Sequence, residues 1–379
     1  MRVVVFEDND DKWSDINSVL VEKGVRASGI RRVDNVAQFV EICRAQIDLC
    51  IIDLLMPGVR GGDCRSAGGE LLQMLDFSGM QRIPVLAITA FPGEADQQRQ
   101  AFAARGCIIY DYNERHVWLQ ALDIFIAQAK EKGRYEFLIF TSIKAERDAY
   151  LALMQSRVES TQRIGLDLLE FDIDGRPGAA ILLPRMGLIN AAVTVARALE
   201  SYSPNAVAMS GICAGVAPNA TMGQLLAADV VWEYQSGKWL DDAFESEPYQ
   251  VSIPQATRLT LSKLLEAESL VARLERNYSG DVRPTHISAP KLAPFATGSA
   301  VIADGRRLEY VRDQHRKVAG LDMEVFGFHR AVELSGQSIH SFSAKVVVDM
   351  ADTAKGDSLH KYGCHVSAQF VLDAIRALR

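Results

Sequence analysis

The sequence predicts an α/β protein of two units, and three features carry this prediction. Apolar runs of strand length alternate with helical stretches along the whole chain. Several apolar runs end on a carboxylate, as at Asp53 and Asp349. A short charged stretch at 130–134 interrupts the alternation. We therefore expect one unit over 1–132 and a second over 135–379, each long enough to bury its own core.

The first unit shows the spacing of a doubly wound sheet of five parallel strands. The predicted strands are 2–6, 25–30, 48–53, 83–88 and 107–110. The predicted helices are 11–23, 35–46, 67–76, 94–104 and 114–130. Because ligands of such sheets bind at the carboxyl ends of the strands, residues that follow these strands are candidates for a site.

Carboxylates close two of these strands. Glu7 and Asp8 follow the first apolar run, and Asp53 ends the third. At ~5 Å and an effective dielectric constant of ~20, each pair of such charges repels by about 3 kcal/mol. A divalent cation removes this repulsion, and oxygen ligands suit Mg²⁺. The sequence therefore predicts an Mg²⁺ site at Glu7, Asp8 and Asp53, with one carboxylate available as a nucleophile toward phosphate.

Motifs spread over this unit resemble the receiver domain of two-component response regulators. The matching residues are Glu7, Asp8, Asp53, Met56-Pro57 and Thr89-Ala90. The resemblance implies that Asp53 accepts a phosphoryl group from a cognate histidine kinase, that Thr89 senses it, and that Tyr110 is the switching aromatic. The family usually carries a lysine after the fifth strand, whereas residues 109–115 contain none. A degenerate receiver used only for docking is the alternative.

The second unit again alternates strands and helices, over a longer span. The predicted strands are 137–141, 179–184, 205–210, 224–231, 296–302, 317–322 and 342–348. The predicted helices are 145–157, 190–202, 254–275, 324–335 and 364–378. The small residues of 210–216 follow a strand and would let the backbone approach a ligand closely.

Three acidic positions follow predicted strands of this unit, at Glu146, Glu324 and Asp349. In chain order, Ser-Gly-Ile-Cys-Ala-Gly at 210–215, Asp-Met-Glu at 322–324 and Val-Asp-Met-Ala-Asp at 348–352 resemble the purine nucleoside and uridine phosphorylase superfamily. They are most similar to its methylthioadenosine and S-adenosylhomocysteine nucleosidases. The resemblance implies a nucleoside-phosphorylase-like α/β sandwich on a mixed, partly closed sheet, usually in a homo-oligomer.

The resemblance also implies roles for individual residues in cleaving a purine N-glycosidic bond. Asp349 protonates the departing base, a transfer that contributes roughly 10²–10⁴-fold. Glu324 holds the ribose hydroxyls and Glu146 activates the attacking water. Residues implied in substrate binding are Met323, Gly211, Ile212, Cys213, Val301 and Ile302. Val348 departs from the family, which usually has serine there, so Asp349 must be supported by other groups.

The nucleophile and the substrate remain open at this point. Glu146 favours water, whereas phosphorolysis would need a cationic cradle such as Arg147 and Arg185. Cations near the site favour a substrate with 5′ phosphates; they are Lys144, Arg147, Arg185, Lys238, Lys355 and Lys361. Lys355 is preferred because it follows the strand of Asp349.

A receiver followed by a nucleosidase resembles the effector of phage-defence two-component systems of the Detocs type. That resemblance implies cleavage of ATP to adenine and ribose triphosphate under control of receiver phosphorylation. The alternatives are a regulated methylthioadenosine or S-adenosylhomocysteine nucleosidase, a nucleoside phosphorylase, and a non-catalytic nucleotide sensor.

Composition narrows the remaining possibilities. The formal net charge is −7 and no basic stretch is evident, which argues against nucleic-acid binding. The six cysteines are scattered without a Cys-x-x-Cys motif, which fits a reducing cytoplasm. With neither a signal peptide nor an apolar run of membrane-spanning length, we expect a cytoplasmic protein that does not bind a membrane. We expect no cofactor in the second unit.

Overall fold

The computed structural model describes residues 1–42, 47–81, 83–154, 158–241, 243–300, 302, 305–351 and 356–378. The chain forms two compact units, Met1–Gly133 and Arg134–Arg379. No helix within the described ranges is both long enough and apolar enough to cross a bilayer.

The described residues of the first unit form seven strands and four α-helices. The strands are β1 Val3–Phe6, β2 Ile30–Val33, β3 Leu49–Ile52, β4 Leu55–Pro57, β5 Cys64–Ser66, β6 Val85–Thr89 and β7 Ile109–Asp111. The helices are α1 Asp10–Glu22, α2 Gly68–Phe77, α3 Pro92–Ala104 and α4 Arg115–Lys132. Five of the strands form a parallel sheet in the order β2-β1-β3-β6-β7.

The central strands of this sheet are buried on both faces. All four residues of β3 and all five of β6 are buried, because apolar clusters pack on each side of the sheet. A parallel strand covered on both faces must be apolar along its whole length, as these are. Asp53 follows β3 directly, and Thr89 is the last residue of β6.

Two predictions for the first unit were wrong. Residues 25–30 were predicted as a strand, but Ala27–Gly29 form a 3₁₀ turn and β2 begins at Ile30. Val25 is nevertheless buried, and an apolar residue at a buried position is also typical of a strand. The predicted helix 35–46 is a 3₁₀ helix over Val36–Glu41, and residues 43–46 lie outside the described ranges. Residues 58–63 connect the strands of the short antiparallel pair β4–β5.

The second unit contains twelve strands and seven helices among its described residues. The strands are β8 Phe137–Thr141, β9 Glu159–Arg163, β10 Leu166–Ile173, β11 Arg176–Leu182, β12 Ala206–Gly215, β13 Leu225–Glu233, β14 Gly237–Leu240, β15 Ala243–Ser246, β16 Gln250–Ser252, β17 Lys291–Thr297, β18 Gly320–Asp322 and β19 His340–Asp349. The helices are α5 Lys144–Leu153, α6 Leu188–Ser201, α7 Gln255–Leu265, α8 Leu270–Leu274, α9 Gly305–Gln314, α10 Val325–Leu334 and α11 His360–Ala377.

Ten of these strands form one mixed sheet that closes on itself. The path runs β16-β13-β17-β18-β12-β8-β11-β10-β9, and β19 pairs with both β12 and β13. The strands β13, β17, β18, β12 and β19 therefore form a closed ring. This arrangement places the ends of β18 and β19 beside the carboxyl end of β12.

Several element boundaries in this unit differ from the prediction. Residues 296–302 were predicted as a strand, but β17 runs from Lys291 to Thr297. Pro294 obscured it, because proline cannot donate to a strand ladder. The partner strand β13 shifts register between Ala228 and Val231, opposite this proline. The predicted helix 254–275 is two helices, α7 and α8, and the β9–β10 and β14–β15 hairpins were missed.

Candidate active site

A cavity of about 230 Å³ lies where β8, β18 and β19 end, beside the carboxyl half of β12. It brings together side chains that are far apart in sequence. Among its lining residues are Ser142, Ile143, Glu146, Met186, Ile212, Cys213, Ile302, Asp322, Met323, Glu324, Val348, Asp349 and His360. The three predicted catalytic carboxylates, Glu146, Glu324 and Asp349, thus share one cavity.

Glu146 is held in place by backbone donors. Its Oε2 accepts hydrogen bonds from the N–H groups of Ser142 at 2.7 Å and Ile143 at 3.2 Å, at the start of α5. Its Oε1 accepts from the N–H of Ile212 at 3.0 Å. Burial raises the pKa of Glu146 above its ordinary value, which makes this carboxylate a better proton acceptor near neutral pH.

Gly211 gives Glu146 the space it needs. Residue 211 has φ +154°, and a Cβ there would lie 1.9 Å from Glu146 Oε1. Any side chain at this position would therefore displace the carboxylate. Gly211 was predicted to let the backbone approach a substrate; in the structure it lets the backbone approach Glu146.

Glu324 precedes α10, and its Oε1 accepts a hydrogen bond from the N–H of Gly187 at 2.9 Å. Asp322, the last residue of β18, accepts hydrogen bonds from the Thr297 hydroxyl at 2.8 Å and from the N–H of Val325. Burial raises the pKa of Asp322, although the ammonium of Lys345 opposes the shift. Met323 lines the cavity between them.

Lys345 was missed by the sequence analysis as a functional residue. Its side chain is 1% exposed, and its Nζ lies 3.7 Å from Asp322 Oδ2 and 3.7 Å from Glu324 Oε2. Burial lowers the pKa of Lys345, but the charges of Glu146, Glu324 and Asp322 outweigh it and raise the pKa above its ordinary value. A lysine inside the apolar run of β19 was the available signal, because lysine is rarely buried without a partner.

Asp349 ends β19, where the pairing with β12 shifts register between Cys213 and Ala214. Its Oδ1 accepts a hydrogen bond from the N–H of Ala351 at 2.9 Å. Ala351 has φ +54°, an uncommon conformation for a residue with a side chain. The backbone turn thus supplies support for Asp349, while Val348, in place of the family's usual serine, lines the cavity wall.

Ser142 is a further polar group of the cavity. Its side chain is 7% exposed, and its Oγ finds no hydrogen-bond partner within the described ranges. The backbone N–H of Ser142 already donates a hydrogen bond to Glu146 Oε2. A buried hydroxyl in this setting can bind a water or a substrate hydroxyl next to that carboxylate.

The predicted substrate-binding residues are only partly gathered here. Ile212, Cys213, Met323 and Ile302 line the cavity. Val301 and Lys355 lie outside the described residues. Arg185 is exposed and is not among the described residues that line the cavity. The other proposed cations are elsewhere or paired: Lys144 pairs with Asp148, Arg147 with Asp167, and Lys238 and Lys361 are exposed.

A second cavity of about 450 Å³ adjoins the first and shares Ala300 and Ile302 with it. Its other lining residues are Tyr234, Gln235, Trp239, Phe244, Arg307 and Tyr310. The Tyr234 hydroxyl donates to the Ala300 carbonyl at 3.2 Å, and Gln235 Oε1 accepts from the Ser299 N–H at 2.6 Å. Tyr234 and Gln235, which line the second cavity, therefore hold the wall between the two cavities in place.

The first unit has its own acidic cluster. Oxygens of Glu7, Asp8 and Asp53 lie within 4.8 Å of one another at the carboxyl edge of the parallel sheet. Burial raises the pKa of Glu7 to about 7 and also raises that of Asp53, in both cases against the ammonium of Lys12. An all-oxygen set of this size fits Mg²⁺. Thr89 is buried at the same edge, and Tyr110 is half-buried on β7.

No protein-family model matches the chain. Over its whole length the chain is 26% identical to the uncharacterized protein y4jS of Sinorhizobium fredii, of which it covers 99%. It is 27% identical to the ATP nucleosidase Cap17 of Escherichia coli over 50% of this chain, a match that spans 39% of Cap17. A 5′-methylthioadenosine/S-adenosylhomocysteine nucleosidase of Geobacillus thermodenitrificans is 24% identical over 46% of this chain and 69% of its own length.

Solved structures share the fold of the second unit. The 5′-methylthioadenosine/S-adenosylhomocysteine nucleosidase of Neisseria meningitidis superposes with a TM-score of 0.51 at 14% identity, over 64% of this chain and 98% of its own. A futalosine hydrolase mutant of Helicobacter pylori superposes with a TM-score of 0.52 at 11% identity, over 64% of this chain and 99% of its own. The chain is similar in sequence to nucleosidases, and its second unit has their fold. The predicted α/β fold with a mixed sheet is confirmed for this part of the chain.

Proposed function

We propose that the second unit hydrolyses the N-glycosidic bond of a purine nucleotide, with ATP as substrate and adenine and ribose triphosphate as products. The observation that carries the proposal is that Glu146, Glu324 and Asp349 line one cavity. Similarity to an ATP nucleosidase supports ATP as the substrate.

In this proposal, each carboxylate performs one step. Glu146, held by three backbone N–H groups and with a raised pKa, takes a proton from the water that attacks C1′. Glu324 accepts hydrogen bonds from the ribose hydroxyls and stabilises the positive charge that grows on the sugar. Asp349 gives its proton to the departing purine, which leaves as neutral adenine. The ammonium of Lys345 opposes the effect of burial, which raises the pKa values of Glu146 and Asp322.

We further propose that the first unit is a receiver that controls this activity as part of an antiviral defence system. Asp53 would accept a phosphoryl group from a histidine kinase, and Thr89 and Tyr110 would respond to it. Glu7, Asp8 and Asp53 would hold the Mg²⁺, which supplies charge neutralisation for phosphoryl transfer. The order of the five parallel strands and the close approach of the three carboxylates support this proposal. We expect the active form to be a cytoplasmic homo-oligomer.

A substrate panel tests both proposals. The purified full chain is incubated with ATP, adenosine and methylthioadenosine, with and without Mg²⁺ and acetyl phosphate, and released adenine is measured by chromatography. Adenine from ATP, increased by acetyl phosphate in the parent but not in Asp53→Asn, is the expected result. Release only from the uncharged nucleosides would favour a methylthioadenosine-type nucleosidase, which the likeness to such enzymes also supports. Binding without release would point to a nucleotide sensor.

A further inference from the structure

Lys12 extends from α1 into the acidic cluster of the first unit. Its Nζ lies 2.9 Å from Glu7 Oε2 and 2.9 Å from Asp53 Oδ2, and it donates to the carbonyl of Ile88 at 3.0 Å. Its side chain is 7% exposed. An ammonium has three protons, and three oxygens lie within 3.0 Å of this one.

This lysine enters from the beginning of the unit instead of from the end of the fifth strand. The segment after β7, where receivers usually carry a lysine, has none. It carries Tyr112 instead, whose ring centroid lies 5.5 Å from Lys12 Nζ. Tyr112 is itself held by a hydrogen bond from its hydroxyl to Asp15 Oδ2 at 2.9 Å. The segment that lacks the cation therefore contributes a ring that packs against one.

Phosphorylation would change the charge that Lys12 faces. An oxygen of Asp53 attacks the phosphorus of acetyl phosphate, the bond from phosphorus to the acetate oxygen breaks, and acetate leaves with its electron pair. The aspartate then carries a phosphoryl group with close to two negative charges in place of one. Among the described residues, Lys12 is the lysine or arginine that forms an ion pair with Asp53, so its ammonium is placed to bind a phosphoryl oxygen.

We propose that Lys12 is the phosphoryl-binding lysine of the first unit, and that before phosphorylation its ammonium competes with Mg²⁺ for Glu7 and Asp53. The inference rests on the proposed receiver function. Removal of the ammonium should therefore change Mg²⁺ affinity and phosphoryl-group binding in opposite directions. Mg²⁺ binds more tightly because a competing cation is gone, whereas the phosphoryl group loses its partner.

Lys12→Met in the full chain tests the proposal, with Lys23→Met as the matched control. Lys23 follows the same helix and pairs with Asp123 away from the cluster. Mg²⁺ affinity is measured from the Mg²⁺-dependent shift in melting temperature, and labelling by acetyl phosphate from intact mass. We expect Lys12→Met to bind Mg²⁺ at least threefold more tightly and to be labelled at least tenfold more slowly at saturating Mg²⁺. Lys23→Met should match the parent in both measurements.

The outcomes separate this proposal from the one on which it rests. A parent chain that is not labelled at Asp53 overturns the receiver proposal and the role of Lys12 together. A labelled parent with an unchanged Lys12→Met overturns the role of Lys12 alone. A loss of both Mg²⁺ affinity and labelling would show a structural role and also overturn it. If Lys12→Met does not fold, Lys12→Gln, which keeps the hydrogen-bond donor and removes the charge, is measured by the same two assays.

Discussion

Each unit places one buried lysine among three carboxylates, but the two clusters are constructed differently. In the first unit, the ammonium of Lys12 contacts Glu7 and Asp53 directly, at 2.9 Å. In the second, Lys345 stays 3.7 Å from Asp322 and Glu324. The first lysine thus forms close ion pairs, whereas the second supplies charge from a longer distance.

The difference lies in what orients the carboxylates. In the second unit, backbone N–H groups position Glu146, Glu324 and Asp322, so the lysine is not needed for their geometry. Glu324 accepts its backbone hydrogen bond at Oε1, which leaves its Oε2 for a substrate. In the first unit Lys12 itself links two carboxylates, so a ligand that binds there must recruit or displace it. A cluster that we propose to be catalytic and a cluster that we propose to respond to phosphorylation can therefore share one composition.

The largest effect is expected from Asp349→Asn, which removes the acid without touching Lys345. Because an amide cannot donate this proton to the leaving base, adenine release should fall roughly 10²–10⁴-fold. The rate is measured by chromatography on folded protein, as checked by circular dichroism. Asp313→Asn, at an exposed position of α9, makes the same chemical change away from the cavity and should leave the rate unchanged. Equal rates in parent and Asp349→Asn would refute the assignment.

Lys345→Met should lower the unfolding free energy of the protein, and the pH dependence of this loss tests the electrostatic role of the lysine. Removal of one partner from a buried ionic cluster typically costs about 3–5 kcal/mol of unfolding free energy. The loss should shrink as the pH falls, because without the ammonium the carboxylates have higher pKa values and are neutralised by protons. Urea unfolding at pH 7.5 and pH 5, with hydrogen exchange to localise the change, measures both quantities. A loss that is independent of pH would contradict an electrostatic role.

Gly211→Ala tests the orientation of Glu146 by the backbone. The new Cβ would meet Glu146 Oε1 at 1.9 Å, so the base must move. A displacement of this size costs about 10²-fold in rate. Gly336→Ala is the control, because Gly336 also has positive φ, +65°, but nothing lies within 4 Å of a Cβ there. If both variants lose activity equally, backbone strain and not the displacement of Glu146 is responsible.

His329 shows what burial does to a charge without a carboxylate partner. Burial lowers its pKa from 6.5 to about 3, and its Nε2 lies 3.1 Å from the Ser343 hydroxyl. Between these two pKa values the unfolded chain binds a proton that the folded chain does not, so unfolding free energy falls as the pH is lowered below 6.5. At pH 5 the loss is about 2 kcal/mol. Urea unfolding should show this loss in the parent and not in His329→Gln.

The smallest effect is expected from Ser142→Ala. A hydrogen bond to water or substrate is worth about 0.5–1.5 kcal/mol, so activity should fall less than about tenfold, with no loss of stability. Ser210→Ala is the opposite control, because its buried hydroxyl already pairs with the Ser367 hydroxyl at 2.9 Å. That variant should lose about 1 kcal/mol of unfolding free energy. Reversal of the two patterns would remove Ser142 from the site.

The sequence predicted most of what depends on apolar periodicity. Strand β8 was predicted with its observed ends, Phe137 and Thr141, because it is fully buried and bounded by polar residues. The prediction missed β9, because the exposed and half-buried residues of Glu159–Arg163 give no apolar run. It missed β10 because acidic residues interrupt the buried apolar residues of Leu166–Ile173. The prediction misplaced β17 because proline usually interrupts a strand. In the structure, the register shift of the partner strand β13 lies opposite Pro294.

The cavity was predicted less evenly. Glu146, Glu324 and Asp349 stand out because each lies at or just after the end of a strand, and the mixed sheet brings these ends to one cavity. Lys345 and Lys12 were not predicted in their roles, since their significance depends on which carboxylates long-range folding brings to them. Cations expected from proximity in sequence, such as Arg147, proved to be paired with carboxylates outside the cavity.

The closed ring of strands has a consequence for protein synthesis. Strand β12 is made early in the second unit, but its partners β18 and β19 follow more than a hundred residues later. Domains generally fold in order as the chain leaves the ribosome. The first unit, complete at Gly133, can therefore be folded well before Asp349 emerges. During synthesis, the cavity of the second unit is therefore assembled only after the first unit is complete.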